Sequence, residues 1–231
     1  NVALMKSLIA DGYESSKAIE KRISAVENWL INPTLLRRDD KAEYAAKIDI
    51  DMHTINEPVV ACPNHPDNVK TLSEIAGAKI DEVFIGSCMT NIGHFRAASQ
   101  ILKSAKHPGV KRLWIAPPTR MDTRKLEEEG AMKVFKNVGA RIEIPGCSLC
   151  MGNQARVADG AVVFSTSTRN FDERMGSGAQ VYLGSAELAA VVALLGRIPT
   201  AEEYFDYYKK CIEHHCSEIY KMLDFSEIYK K

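Results

Sequence analysis

From residue 81 onward, short runs of β-branched and aromatic residues alternate with helical stretches, and this alternation narrows the fold more than any other feature. "DEVFIGS" (81–87) reads as a strand and "HFRAASQILKSA" (94–105) as a helix. "RLWIAPP" (112–118) reads as the next strand, followed by a helical stretch near 121–138. "ARIEIP" (140–145) and "AVVFSTST" (161–168) read as further strands. "SAELAAVVALLG" (185–196) reads as a helix capped by Ser185 and ended by Gly196, with Pro199 beyond. Strands alternating with helices predict a mostly parallel sheet covered on both faces, a three-layer α/β/α fold. Ligands of such a sheet gather at the carboxyl ends of its strands.

Ahead of this region, residues 15–31 place Ile19, Ile23, Val26, Trp29 and Leu30 at helical spacing, with a Ser available as N-cap and Pro33 stopping the pattern. "AAKIDID" (45–51) and "EPVVACP" (57–63) read as two short strands, and "CPNHPDN" as a loop. The expected organisation is the end of a preceding α/β domain over 1–78, a second α/β domain over 79–200, and a helical tail over 201–231. The tail is rich in Tyr and reads as one or two surface helices. The chain opens at Asn1 without an initiator Met or a signal pattern, which reads as a cut within a longer chain.

Thirty basic and thirty acidic residues cancel, so the charge balance argues for neither nucleic acid nor an anionic membrane. The longest apolar run, "LAAVVALL" (188–195), is too short to span a bilayer, so no membrane partner is expected. Six cysteines in 231 residues are too sparse for a disulfide scaffold, and a reducing, cytoplasmic setting is expected. The thiols are then free for metal.

Cys147 and Cys150 form a CxxC just after one expected strand, and Cys88 lies just past another. In a parallel sheet those strand ends share an edge, so the three thiols can converge. A structural zinc asks for four ligands, and no fourth Cys or His sits near either motif. A thioredoxin-like pair needs its CxxC to open a helix, but Pro145, Gly146 and Gly152 bracket this one with turn signals. Unligated core or loop thiols are a further reading. A 4Fe-4S cluster on three cysteines keeps one iron open, a Lewis acid for a substrate oxygen. Spacing alone leaves these alternatives standing.

"STSTRNFDER" (165–174) follows another strand and carries Arg169 and Arg174, whose guanidinium groups suit bidentate capture of carboxylates. Solvated surface arginines are the plain alternative. Cys211 and His215 are spaced i, i+4 for one helical face, which makes half a zinc site. Cys62 and His65 read as a buried thiol and a loop imidazole, with a shared metal as the lesser reading, and His94 as a residue that opens a helix or approaches the cluster region. Arg120, Asp122 and Arg124 sit at a strand end, which invites a substrate role, with a solvated helix start as the default.

Together, "FIGSCMTNIGHFRAA", "PGCSLCMGNQARVADGAVVFSTSTRNFDERMG" and "VYLGSAELAAVVALLG" resemble the cluster-binding region of the aconitase family. The first is similar to the family's G-S-C-x-N-type segment. The second resembles its P-G-C-x-x-C segment followed by R-N-F-x-x-R. The Met within "SCMTN" and the form "CSLCMGNQARVADG" resemble the bacterial branch that also dehydrates 2-methylisocitrate. The resemblance runs along the whole chain.

The resemblance implies a cluster-binding α/β domain over 79–200, with a 4Fe-4S cluster carrying one open iron on Cys88, Cys147 and Cys150. It implies carboxylate binding by Arg169 and Arg174 and places Asn91 beside the cluster, on the substrate side. Thr168 stands where many members have Asn, and Asn170 and Phe171 read as structural. The implied activity is a hydro-lyase of the tricarboxylic acid cycle acting on citrate, isocitrate, cis-aconitate and 2-methylisocitrate. The family's base is a Ser in a G-S-S-R-E-type segment, and this sequence has none. A carboxyl-terminal fragment, inactive alone, is therefore expected. The family also includes members whose cluster-free forms bind messenger RNA, an alternative that the neutral charge and lack of a basic stripe weaken.

Overall fold

Helices Val2–Ala10 (α1) and Ser16–Ile31 (α2) pack on each other in the smaller of two units, which runs up to Met52. The structure, a computed structural model, describes residues 2–152 and 154–223. The expected helix over 15–31 is present, with Ile19 and Ile23 buried and Trp29 and Leu30 exposed. Ser15 sits at the N-cap position without a side-chain capping bond. The strand expected over 45–51 does not form. Ile48 and Ile50 alternate with Asp49 and Asp51 as a strand would, yet both isoleucines are exposed and the segment pairs with no strand among the described residues. Alternation without a partner ladder is not a strand.

The larger unit, His53–Met222, holds one seven-stranded sheet. Its strands are Val59–Ala61 (β1), Val69–Thr71 (β2), Glu82–Gly86 (β3), Arg112–Ala116 (β4), Arg141–Ile142 (β5), Val162–Ser165 (β6) and Gln180–Leu183 (β7), in the order β2-β1-β7-β6-β3-β4-β5. The five strands from β3 to β7 run parallel, and β1 joins antiparallel to both β2 and β7. The mostly parallel α/β fold expected from the alternation is therefore the one observed.

Between the strands lie Leu72–Ile75 (α3), Ile92–Leu102 (α4), Arg120–Glu128 (α5) and Ala131–Asn137 (α6), and after β7 come Ala186–Leu195 (α7), Ala201–Cys211 (α8) and Cys216–Ile219 (α9). The helical stretch near 121–138 is two helices, broken at Gly130 in the left-handed region (φ 81°). On one side α4 and α7 pack on each other, with α7 against β3 and β6 and α6 against β5. On the other side Phe84, Trp114 and Val163 meet Leu149, Cys150, Val157 and Met175 from irregular segments. α7 is apolar nearly all round and buried, capped as expected by Ser185, whose hydroxyl accepts from the Leu188 N–H. The expected tail begins as α8 and α9, and its end lies outside the described residues. Among the described residues no helix is long and apolar enough to cross a membrane.

Candidate cluster site

Because β3, β4, β5 and β6 run parallel, the loops after them leave from one edge of the sheet. Cys88 lies in the loop after β3, Cys147 and Cys150 in the loop after β5, and Arg169 and Arg174 in the loop after β6. β4 stands between β3 and β5, and the Gly146 N–H donates to Pro117 O just past β4. That bond turns the β5 loop back across the sheet edge. The Sγ atoms of Cys147 and Cys88 consequently lie 3.9 Å apart, although 59 positions separate them in sequence. Thr166 ties the neighbouring strand end in place, its hydroxyl accepting from the Gly86 N–H and donating to Gly86 O, both at 2.8 Å.

Cys150 falls in a 3-10 turn over Ser148–Met151 and is buried, Cys147 is half-buried and Cys88 exposed. The site thus grades from core to solvent. Arg174 Nη2 donates toward Cys150 Sγ at 3.5 Å, and its guanidinium lies 5.0 Å from the centre of the Phe171 ring. The Cys147 thiol is held above its usual range, first by its bond with Cys88, then by the charges of Cys88 and Cys150, with Arg174 opposing. Crowded thiols resist losing protons together, and a cationic centre among them removes that resistance.

Three non-glycine residues among those described have positive φ, and each adjoins an expected site residue. They are Ser87 (135°) before Cys88, Ser148 (42°) after Cys147, and Glu173 (62°) before Arg174. Backbone strain of this kind concentrates where loops are held for function. The buried side-chain polar atoms left without a partner, among the described residues, are Ser148 Oγ, Asn170 Oδ1 and Arg174 Nε. All three belong to the loops that carry the thiols and the arginines. Unpaired buried donors and acceptors are costly, and their gathering in these loops suits a place that takes a polar or charged group.

The donor set fits an iron-sulfur group, being three soft thiolates with no competing hard ligand. No group of three or more His, Cys, Asp or Glu side chains among the described residues is arranged to hold a single metal ion. The two facts agree, since a cluster takes each thiolate on a different iron and its ligands need not converge on one point.

The remaining expected residues fall as follows. Arg169 is exposed, and its guanidinium has no hydrogen-bond or ion-pair partner among the described residues. Asn91 caps α4, its Oδ1 accepting from the Gly93 N–H at 2.9 Å. Asn170 is buried, and its Nδ2 donates to Cys62 O at 2.7 Å and Val181 O at 3.2 Å, while Phe171 is exposed. Asp122 is buried beside the N-cap residue Thr119, whose hydroxyl donates to it at 2.5 Å. Cys62 is buried and His65 lies in a loop. Cys211 and His215 do not share a helical face. α8 ends at Cys211, Ile212 leaves helical geometry (φ −126°, ψ −47°), and His215 closes a separate 3-10 turn.

Sequence reasoning missed one polar group near this edge. His94 in α4 meets Glu187 of α7 at 2.8 Å, and Tyr220 donates to the same carboxylate oxygen at 2.8 Å. The one sequence signal was an acidic residue inside an otherwise apolar helix.

Comparison with known proteins accords with this geometry. Residues 70–196 match the model of the aconitase family (aconitate hydratase). Aconitate hydratase B of Synechocystis sp. is 60% identical over 99% of this chain, which covers 26% of that protein. Aconitate hydratase B of Escherichia coli is 58% identical over the same share, again 26% of its length. The 3-isopropylmalate dehydratase large subunit of Sulfurihydrogenibium sp. is 41% identical over 75% of the chain and 41% of that subunit. The chain thus spans about a quarter of the aconitate hydratases it matches.

Proposed function

This chain belongs to the aconitase family, and from that premise we propose that it is the cluster-bearing part of an aconitate hydratase. The reaction is the interconversion of citrate and isocitrate through cis-aconitate in the tricarboxylic acid cycle, with 2-methylisocitrate as a second substrate. Cys88, Cys147 and Cys150 hold a 4Fe-4S cluster with one open iron. When bound, such a cluster supplies a Lewis acid for the hydroxyl that leaves as water. The observation that carries this reading is the meeting of Cys88 and Cys147 at 3.9 Å at the carboxyl edge of a parallel sheet, with Cys150 in the adjoining turn.

The chain's own residues then do the positioning. Arg169 and Arg174 bind substrate carboxylates, Arg169 with a guanidinium uncommitted among the described residues and Arg174 with one backed by Phe171. Asn91 shapes the substrate side of the Cys88 loop through its cap on α4. Asn170 bolts the arginine loop to the sheet from between the two arginines. Residues 79–200 carry the cluster-binding domain, within the larger unit that β1 and β2 also join, and α8 and α9 begin the tail expected over 201–231. No G-S-S-R-E-type segment supplies the base, so this chain alone does not turn over substrate. A cytoplasmic setting suits the free thiols. Neither the relatives' names nor the charge balance favours the messenger RNA reading.

The test is anaerobic reconstitution with iron and sulfide, followed by iron and sulfide counting, on the parent and on Cys88→Ser, Cys147→Ser and Cys150→Ser. The parent takes up about four irons, and each variant loses uptake. Equal uptake in parent and variants refutes the ligand assignment.

A further inference from the structure

The helix that follows the Cys88 loop is held down by a segment more than 100 positions away. Residues from Ile212 to Met222 run across the first turns of α4. Tyr220 lies so close to Gly93 that a Cβ there would come within 3.0 Å of Tyr220 Cα. Arg96 Nη1 donates to Ile219 O at 3.2 Å and to Lys221 O at 2.5 Å, while its Nε and Nη2 grip Glu129 at 2.7 and 2.9 Å. Asn91, the α4 cap, points its Nδ2 at Met222 Sδ, 3.3 Å away. Within the segment, Ile212 and Ile219 are buried.

At the centre of this contact is Glu187, a carboxylate only 5% exposed. Its Oε1 takes the Tyr220 O–H and faces His94 Nδ1, both at 2.8 Å, and the His94 and Tyr220 rings meet edge to face at 5.9 Å. A buried charge with two such partners holds its surroundings in one arrangement, since removing either partner leaves it uncompensated. From Asn91 the bonds continue into the Cys88 loop. The Thr90 N–H donates to Ser87 O at 3.1 Å, their hydroxyls meet at 3.1 Å, and the Met89 N–H donates to Ser87 Oγ at 3.2 Å. A continuous path therefore links the strap to the residues on both sides of Cys88.

We propose that Glu187 is a positioning residue for Cys88: by anchoring the Ile212–Met222 strap on Tyr220 and His94, it fixes the first turn of α4 and with it the loop that presents the thiol. This rests on the reading of Cys88 as a cluster ligand, but the mechanical link does not need the cluster.

The anchor is set by protonation. Burial pushes Glu187 up, but the hydrogen bonds from His94 and Tyr220 outweigh it, and the carboxyl lies below its usual range. The bond to Glu187 raises His94 above its usual value. The other titratable groups facing Glu187 are Tyr204, pushed up to about 12 by burial, and Tyr208, raised by its bond with Cys216. Tyr220 is pushed far above the ordinary tyrosine range by burial. None of the three tyrosines ionises near neutral pH, so His94 is the group that switches. Its contribution is fully present below the unfolded value of 6.5 and is lost as pH rises through the raised folded value.

The experiment is hydrogen exchange by mass spectrometry on the metal-free protein, corrected for intrinsic rates and run across neutral pH. The parent is compared with Glu187→Gln, with the milder Tyr220→Phe and with His94→Gln, and iron release to a chelator is timed after reconstitution. The proposal expects exchange over residues 87–97 to quicken about tenfold in Tyr220→Phe and Glu187→Gln, with 141–152 unchanged and iron released faster. It also expects parental protection over 87–97 to fall as pH rises, and His94→Gln to flatten that profile. Quickening confined to the strap, or spread evenly over the unit in Tyr220→Phe, overturns it. If 87–97 responds but no protein takes up iron, the positioning link stands and the cluster reading falls.

Discussion

Asn170 offers a sharp test of how the arginine loop is held. Its Nδ2 donates to Cys62 O at 2.7 Å and to Val181 O at 3.2 Å, while its Oδ1 has no partner and the residue is 1% exposed. Asn170→Ala removes both donors, leaving Val181 O without this bond and Cys62 O with only the His65 N–H at 3.4 Å among the described residues, a cost of about 3–4 kcal/mol together. It also removes the orphaned oxygen, a relief of about 1 kcal/mol. The net loss is about 2–3 kcal/mol, or roughly 4–10 °C in Tm for a unit of this size. Asn170→Asp has nearly the same shape but keeps the orphan and sets a second carboxylate oxygen against Cys62 O. It should cost more than Ala, by about another 1–3 kcal/mol. Urea unfolding followed by Trp114 fluorescence in a Trp29→Phe background reads the unit that holds Asn170. If Asp proves no worse than Ala, or Ala costs under about 0.5 kcal/mol, the loop is held by packing and the donor argument is wrong.

Three further expectations follow from individual contacts. Glu203, held to about 2 first by its bond with Arg197 and then by the Thr200 N–H, adds stability that is present above the unfolded value of 4.5 and lost as pH falls toward 2. Glu203→Gln should therefore lower stability at neutral pH and flatten the acid limb of the profile, the two proteins converging as pH falls toward 2. Trp114→Phe strips a 2.6 Å donor from the buried Glu82 carboxylate, which keeps the Ala158 N–H at 2.9 Å. Chemical denaturation should show a loss of about 2–3 kcal/mol. Arg174→Lys removes the fork that meets Cys150 and Phe171, so iron release to a chelator should accelerate severalfold while the melting temperature of the metal-free protein moves by only a few degrees.

The central strands were legible because burial on both faces writes itself as unbroken apolar runs, as in "VFIG" and "LWIA". β2 and β7 were not. "VKT" is three residues on the outermost strand, with Lys70 exposed, and "QVYL" runs into α7 after only two residues. Edge position and brevity erase the signal that burial would write. The false strand over 45–51 shows the converse, an Ile/Asp alternation that met no partner. For the site, the CxxC and the strand-end position of Cys88 sufficed to bring Cys88 and Cys147 together, because parallel register fixes which loops share an edge. What supports the thiols was hidden. His94, Glu187 and Tyr220 lie 93 and 33 positions apart, and nothing local marks them as partners. Cys211 and His215 misled because spacing predicts a shared face only while the helix continues, and α8 stops between them.

The most direct test of the account is the Mössbauer spectrum of the iron-loaded protein before and after citrate. Three cysteines on a cluster of about four irons leave one iron unlike the others. The account predicts that citrate alters that one iron and leaves the rest unchanged. A spectrum in which citrate changes no iron, or in which all irons are equivalent, would contradict it.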